Sequence, residues 1–152
     1  MKIVVVSDTH RDVSFIDNIT SLHSDAKYFL HAGDSELTES ELYPFQSVKG
    51  NCDYYIKNKY RVLNILGVKI FMFHGDHTYL NEDVLIGIAN NNNCDIIIHG
   101  HTHIPYYNFK ENVHIICPGS TTLPRSKNAT YAVITFSSKN DIHVEIKNYE
   151  CK

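Results

Sequence analysis

Short apolar runs that end in polar residues recur along the chain. Lys2 to Val6 is apolar and rich in β-branched residues, and it ends just before Asp8, which predicts a strand buried on both faces. Tyr28 to Leu30 and Phe45 to Val48 predict two further strands, each followed by a glycine and then by Asp or Asn. The polar residues therefore come at the carboxyl ends of the predicted strands.

Two other segments have the apolar spacing of a helix. Residues 13–22 carry apolar side chains at near-helical intervals, and Asp12 is the predicted N-cap of this helix. Asn81 is the predicted cap of a second helix, which has its apolar face in residues 84–88 and ends at the asparagine tract 90–93.

Strands dominate the remainder of the chain. Arg61 to Leu66 and Val68 to Phe73 flank Gly67, which predicts a hairpin whose second strand runs into His74. Ile96 to Ile98 predicts another buried strand, which runs into a segment containing several histidines. Three more strands are predicted near the end of the sequence, at Val113 to Cys117, Tyr131 to Phe136 and Ile142 to Ile146.

This order of elements predicts a layered α/β fold, because strands alternate with helices early and accumulate late. No repeat or linker divides the sequence, so we expect residues 1–152 to form a single domain. Ligands of such folds bind outside the carboxyl ends of the strands. Since separate segments deliver Asp, Asn or His to that edge, a functional site is predicted there.

Composition narrows the classes of function. The formal charge is −3 and the basic residues are scattered, so neither a stable nucleic-acid partner nor an anionic membrane is indicated. The apolar run Ile3 to Val6 is too short for a signal peptide or a membrane span. The cysteines show neither CxxC spacing nor a disulfide-dense pattern, which favours a reducing cytoplasm; they are Cys52, Cys94, Cys117 and Cys151.

The polar residues at the strand ends are of metal-binding types. Asp8 and His10 lie two residues apart, so on an extended strand end both side chains point to the same side. Further carboxylate, amide and imidazole donors come from Asp34, Asn51, His74, His101 and His103. This mixture suits Mn²⁺, Fe, Zn²⁺ or Ni²⁺ better than Ca²⁺ or Mg²⁺. A single strand-end Asp often only caps a helix or forms a turn, but the conjunction predicts a metal centre.

Ordered motifs span the chain: Asp8-Thr9-His10, Gly33-Asp34, Gly50-Asn51, His74-Gly75 and Gly100-His101-Thr102-His103. Through these motifs the sequence resembles the calcineurin-like metallophosphoesterase superfamily. Its short length, the Gly-Asn-Cys-Asp at Gly50 to Asp53 and the Pro118-Gly119-Ser120 make it similar to the small YfcE-type phosphodiesterase branch of that superfamily. The resemblance implies a four-layer α-β-β-α sandwich with two mixed β-sheets. It also implies a phosphoesterase, most simply a phosphodiesterase, that acts on a small phosphoester.

The resemblance further implies two divalent metal ions, with Mn²⁺ the first expectation and Fe, Zn²⁺ or Ni²⁺ as alternatives. One ion would be bound by Asp8, His10, Asp34 and His103, and the other by Asp34, Asn51, His74 and His101. Asp34 would bridge the ions, and a shared carboxylate lowers the repulsion between cations about 3.5–4 Å apart. Water between them would ionise near pH 7, since metal binding lowers its pKa from about 15.7 to about 7, and the hydroxide would be the nucleophile.

Other polar residues have open interpretations. Cys52 occupies the position where many superfamily members carry a His that protonates the leaving group, but we favour a small buried packing residue over an acid. His77 is interpreted as a neighbour of the site or as a solvated residue, with an acid role as the third possibility. Arg11 and Arg125 could bind a substrate phosphate, although we slightly favour exposed salt bridges for each of them. His31 could orient Asp34 or simply pack.

A binding scaffold is the alternative function, because the sequence also resembles the metallophosphoesterase-like subunit of the retromer coat, which holds partner proteins. A scaffold can tolerate the loss of a metal ligand, whereas every one of the seven positions here holds a residue able to bind metal. Completeness of the ligand set therefore favours an enzyme. A redox sensor would need a paired reactive cysteine, and the sequence shows none.

Overall fold

The structure is a computed structural model and describes residues 1–150, so Cys151 lies outside the described residues. The elements, in chain order, are β1 (Lys2–Val6), α1 (Ser14–Leu22), β2 (Tyr28–His31), α2 (Glu39–Leu42), β3 (Phe45–Ser47), β4 (Tyr60–Ile65), β5 (Val68–Phe73), α3 (Glu82–Asn91), β6 (Ile96–Ile98), β7 (Tyr106–Lys110), β8 (Val113–Cys117), β9 (Thr130–Ser138) and β10 (Asp141–Asn148). Among these residues, no helix is both long and apolar enough to cross a membrane.

The strands form two five-stranded sheets, and both are mixed. The first sheet has the order β10-β9-β1-β2-β3, in which β1, β2 and β3 are parallel and β9 pairs antiparallel with both β1 and β10. The second has the order β4-β5-β6-β8-β7, in which β5, β6 and β8 are parallel and the edge strands are antiparallel. The predicted pair of mixed sheets is confirmed.

The near-continuous apolar strands are explained by apolar contacts on both of their faces. In β1, Ile3 and Val5 belong to a core that both sheets line, whereas Val4 packs with Phe15 and Ile19 of α1. The second sheet repeats this arrangement, because residues of β5, β6 and β8 pack with Leu85, Ile86 and Ala89 of α3. Successive side chains of a strand point to opposite faces, so each inner strand needs apolar residues throughout. The resulting layers run α-β-β-α, as expected.

Local capping differs from the prediction at the first helix. The N-cap of α1 is Val13 and not Asp12, and Val13 makes no side-chain capping bond. The Asp12 carboxylate still accepts hydrogen bonds from the backbone N–H groups of Ser14 and Phe15, each at 3.3 Å. Asn81 caps α3 as predicted, because its side chain accepts from the Val84 N–H at 3.0 Å.

Two elements were not predicted from the sequence. The helix α2 has only four residues and begins with a capping box between Thr38 and Glu41. The strand β7 is an edge strand whose side chains are mostly exposed, so it shows neither alternation nor a buried run.

Candidate metal centre

The seven predicted ligands lie at one edge of the two sheets, each just beyond a strand. Asp8 follows β1, and Asp34 follows the neighbouring parallel strand β2. His74 follows β5, and the segment with His101 follows the parallel strand β6. The carboxyl ends of parallel strands meet at one edge, so the fold itself brings these chemically distinct side chains together.

One group of ligand atoms forms around Asp8. The Nε2 atoms of His10 and His103 lie 3.4 Å apart, and the Nε2 of His103 is 3.3 Å from the Asp8 Oδ1. A donor nitrogen or carboxylate oxygen from each of these three residues falls within 4.8 Å of the others. This spacing suits a shared cation, because a metal bound at about 2.0–2.2 Å from each donor requires donors at such distances from one another.

A second group forms around His74. Its Nε2 lies 3.0 Å from the Asn51 Oδ1, 3.2 Å from the Asp34 Oδ2 and 3.3 Å from the His101 Nδ1. The same nitrogen is 3.8 Å from the Asp8 Oδ1, so the two groups adjoin. Asp8, Asp34 and His74 also satisfy the 4.8 Å spacing. All seven predicted side chains are thus connected in one cluster.

The Asp8 Oδ1 indicates that a cation fits this cluster. Asp8 is fully buried, and this oxygen has no hydrogen-bond partner among the described residues. The other oxygen, Oδ2, accepts bonds from the Ser7 hydroxyl at 2.8 Å and the His101 N–H at 3.0 Å. An unpaired buried carboxylate oxygen is unfavourable, and a divalent cation would satisfy it.

The imidazole rings are oriented for ligation. The Nδ1 of His74 lies 2.8 Å from the Ala32 carbonyl oxygen, and the Nδ1 of His103 lies 2.7 Å from the Leu123 carbonyl oxygen. Because a carbonyl oxygen only accepts, each Nδ1 must donate, so in the neutral ring the lone pair is on the Nε2 that faces the cluster. Partners of this kind fix the tautomer of metal-binding histidines.

The backbone at the predicted ligands is strained. Five of them have positive φ angles, at 55° for Asp8, 41° for His10, 63° for Asp34, 75° for His101 and 62° for His103. Such conformations are unfavourable for residues other than glycine and persist only where the surrounding structure enforces them. Their concentration in one cluster is typical of a functional site.

The charges in the cluster are strongly coupled. Burial of Asp34 opposes its ionisation, but the hydrogen bond and charge of His74, with the Cys52 N–H, lower its pKa to about 2. Burial likewise opposes protonation of His74, but Asp34 and Asp8 outweigh it and raise its pKa to about 9. A cation that binds here must therefore compete with a proton on His74.

Asp53 holds together two loops that carry predicted ligands, a role that the sequence did not reveal. It is buried, and its carboxylate accepts from the backbone N–H groups of Asp34, Glu36 and Gly50, each at 2.8 Å. The only signal was its presence in the Gly-Asn-Cys-Asp motif. Gly50 allows its loop to lie close to Asp34, since a Cβ at residue 50 would be 2.1 Å from the Asp34 Oδ1.

Two other contacts fix the loop that carries Asp8. The buried Ser120 hydroxyl donates to the Asp8 carbonyl at 2.7 Å. His31 lies 2.9 Å from the Thr9 hydroxyl and accepts from the Gly33 N–H at 3.0 Å, and complete burial lowers its pKa to about 3. His31 therefore stays neutral and connects the β1 and β2 loops, which corresponds to the packing interpretation and not to direct contact with Asp34.

The packing interpretation of Cys52 is wrong, because the residue is exposed. Its backbone N–H donates to the Asp34 Oδ1 at 2.8 Å. Its sulfur, a His10 nitrogen and an Asp34 oxygen lie within 4.8 Å of one another. Desolvation of the sulfur and the Asp34 charge raise the pKa of the thiol to about 11, so it remains protonated at neutral pH.

The remaining predicted site residues lie on the surface. The His77 side chain is 94% exposed and lies 3.4 Å from the Asp76 carboxylate, so it is solvated and bound to a neighbour. The Arg11 side chain is 80% exposed and lies 3.9 Å from Glu36, an exposed salt bridge as in the favoured interpretation. Arg125 is also exposed, but its backbone N–H donates to the His103 carbonyl at 3.0 Å, so it lies close to the cluster.

Comparison with known sequences points to one family. A sequence model described as "Calcineurin-like phosphoesterase superfamily domain" matches residues 1–139. The Bacillus subtilis protein named "Probable metallophosphoesterase YsnB" is 32% identical over 146 residues, which cover 91% of this chain and 86% of that protein.

Solved structures share the fold. A predicted phosphoesterase from Streptococcus pneumoniae superimposes with a TM-score of 0.82 at 22% identity, covering 97% of both chains. An archaeal phosphodiesterase gives 0.75 at 21% identity, covering 97% of this chain and 100% of the other. The E. coli phosphoesterase YfcE gives 0.68 at 18% identity, covering 99% and 100%. Vps29 of Entamoeba histolytica, solved with zinc, gives 0.75 at 18% identity, again covering 99% and 100%.

Proposed function

Because this chain belongs to the calcineurin-like phosphoesterase superfamily, we propose that it hydrolyses phosphodiesters at a centre of two divalent metal ions. The observation that carries the proposal is the buried, unpartnered Asp8 Oδ1 inside a cluster of imidazole, carboxylate and amide donors. Buried polar atoms are normally hydrogen-bonded, so in a cluster that binds no cation we would expect a hydrogen-bond donor beside that oxygen.

The ligand sets of the proposal follow the two groups of atoms. Asp8, His10 and His103 surround one position, and Asn51, His74 and His101 surround the other. Asp34 lies between the groups, with one oxygen near His74 and the other bonded to the Cys52 N–H. It is therefore the residue proposed to bridge, and Mn²⁺ remains the first expectation for both ions, with Fe, Zn²⁺ and Ni²⁺ as alternatives.

When bound, the two cations would supply a hydroxide nucleophile at neutral pH and offset negative charge on the phosphoryl oxygens. The chain contributes position and access. Asn51 is exposed and His101 is half-buried, whereas Asp8, Asp34 and His74 are buried, so the cluster opens towards solvent on the Asn51 and His101 side. A phosphodiester would approach from that side.

Proton donation to the leaving group is the weakest part of the site. Cys52 is exposed, protonated at neutral pH and near Asp34, so it is placed to face a departing oxygen. A thiol with a pKa near 11 is nevertheless a poor acid, because an efficient general acid has a pKa close to the working pH. We therefore expect good leaving groups to be strongly preferred. Arg125, close to His103, is the arginine better placed to bind the phosphate.

A protein-binding scaffold is the second candidate, supported by the likeness of this fold to Vps29. The complete set of seven ligand side chains in one cluster favours an enzyme over a scaffold. A small phosphoester remains the proposed partner of the site, and a cytoplasmic location remains a prediction from the cysteine pattern.

The deciding experiment combines metal analysis with an assay. The purified protein is stripped with a chelator, reloaded with Mn²⁺, Fe²⁺, Zn²⁺ or Ni²⁺, and tested on bis(p-nitrophenyl) phosphate and p-nitrophenyl phosphate. We expect two ions per chain and metal-dependent hydrolysis that is faster on the diester. Two bound ions without hydrolysis of any phosphoester would favour the scaffold.

A further inference from the structure

A cavity of about 510 Å³ opens beside the proposed metal ligands Asn51 and His74. Its other walls come from Lys49 in the loop before Asn51, from Lys59 directly before β4, and from Phe73 at the end of β5 with the segment that follows it. Cavities of roughly 300–1,000 Å³ accommodate small-molecule ligands. A phosphodiester held at the cluster would therefore have room to extend one of its two substituents into this cavity.

Two lysines give the cavity its charge. The Lys49 N–H donates to the Asn58 carbonyl at 2.6 Å, which fixes the two lysine-bearing segments side by side. Within residues 1–150, neither lysine has a carboxylate within 4.0 Å, whereas Lys2, Lys110 and Lys147 each pair with one. Asp76 also lines the cavity, but it lies 3.4 Å from the His77 imidazole. Two lysines without an ion-pair partner among residues 1–150 thus line the same cavity as two proposed metal ligands.

Resting on the proposed function, we propose that Lys49 and Lys59 form an anion subsite that binds a second phosphate group of the substrate. The preferred substrate is then a short phosphodiester that carries a terminal phosphomonoester. Such a group bears a charge of about −1.5 to −2 at pH 7 and offers three strong acceptor oxygens. Clustered lysines in a cavity raise the local concentration of such an anion.

The charge pattern favours a short substrate over a long nucleic acid. Binding along a nucleic-acid backbone requires many phosphate contacts, and therefore an extended basic surface. This chain has a formal charge of −3, and two lysines line this cavity, Lys49 and Lys59. A short substrate with two phosphate groups would place one at the metal cluster and the other at Lys49 and Lys59.

The test compares two dinucleotides that differ only in the terminal phosphate: dithymidine monophosphate with and without a 5′-phosphate. The wild-type protein should show the higher kcat/KM on the phosphorylated compound. The Lys49→Ala/Lys59→Ala variant should lose about tenfold of this preference, because hydrogen bonds to charged groups are worth roughly one factor of ten and partial exposure weakens them. Lys139→Ala is the control, since Lys139 is exposed in the β9–β10 turn, at the opposite end of the sheet from the cluster.

The outcomes separate the subsite from the catalytic proposal. Equal hydrolysis of both dinucleotides by the wild-type protein would overturn the subsite and leave the phosphodiesterase proposal intact. An equal loss on both substrates in the double variant would show general electrostatic attraction and would also overturn the subsite. If neither compound is hydrolysed, the same two dinucleotides are titrated calorimetrically into the metal-containing protein. Tighter binding of the phosphorylated version, lost in the double variant, supports the subsite, and equal binding overturns it.

Discussion

Asp53→Asn should weaken both the fold and the metal centre, although the substitution preserves the size of the side chain. In the native protein the Oδ2 of Asp53 accepts from the Asp34 and Gly50 N–H groups, and Oδ1 accepts from the Glu36 N–H. An asparagine has one accepting oxygen and an NH₂ group in place of the other. If its oxygen takes the Oδ2 position, the NH₂ group faces the Glu36 N–H, and a donor meets a donor.

The expected magnitude follows from these bonds. Hydrogen bonds to a charged acceptor are worth about 1.5–3 kcal/mol each, and a buried donor left unpaired costs about 1–3 kcal/mol. One bond is lost and two lose their charged acceptor, so the free energy of unfolding should fall by about 2–4 kcal/mol. Because the Asp34 loop is then less well fixed, metal affinity should fall about 10- to 100-fold, as is typical when a residue that orients a ligand is changed.

Urea denaturation of chelator-treated protein measures the first effect, and calorimetric metal titration measures the second. Asp83→Asn is the matched control, because Asp83 is exposed in the first turn of α3 and should change stability by less than about 1 kcal/mol. The reasoning is refuted if Asp53→Asn binds metal as tightly as the wild-type protein and unfolds at the same urea concentration.

Three further changes probe the centre itself. Asp34→Asn should reduce hydrolysis more than any single His→Ala change among the ligands, because only Asp34 is proposed to contact both ions; two bound metals and a near-normal rate in this variant would contradict bridging. Metal affinity should rise with pH up to about 9, because the raised pKa of His74 means that its proton competes below that value, and calorimetry at pH 7 in buffers of different ionisation enthalpy should detect proton release. Cys52→His should accelerate alkyl phosphodiesters selectively, by up to about 10²-fold, and leave aryl esters nearly unchanged; wild-type rates that do not depend on leaving-group pKa would show that protonation is already supplied elsewhere.

The predicted pH dependence of metal binding differs between the sequence and the structure. From the sequence alone, the histidine ligands would compete with metal only below about pH 6, near the unperturbed pKa of the residue. The structure places His74 against two carboxylates, and its pKa rises to about 9. The window of proton competition therefore moves upward by several pH units, a shift that depends on tertiary contacts and is absent from any local pattern.

The inner strands were predictable because burial on both faces leaves a strong local signal. Ile96 to Ile98 is apolar at every position since Ile97 faces α3 while its neighbours face the shared core. The strand β7 gave no such signal, because it lies at a sheet edge and its aromatic side chains are largely exposed. It pairs antiparallel with β8, where Tyr107 and Phe109 stack on His114, and such cross-strand contacts leave no local pattern in the sequence.

The residues of the cluster were predictable from their positions after strands, but the residues that support them were not. Asp53 acts by accepting bonds from two loops that are distant in sequence, and no local pattern reveals such a meeting. The exposure of Cys52 is likewise a property of the assembled loop, so its small apolar character led to the wrong prediction of burial.

Anomalous X-ray diffraction from crystals loaded with Mn²⁺ tests the central claim most directly. Two peaks about 3.5–4 Å apart are expected, one near Asp8, His10 and His103 and the other near Asn51, His74 and His101, with the Asp34 carboxylate between them. A single peak, or ions that do not contact Asp34, would contradict a bridged two-metal centre.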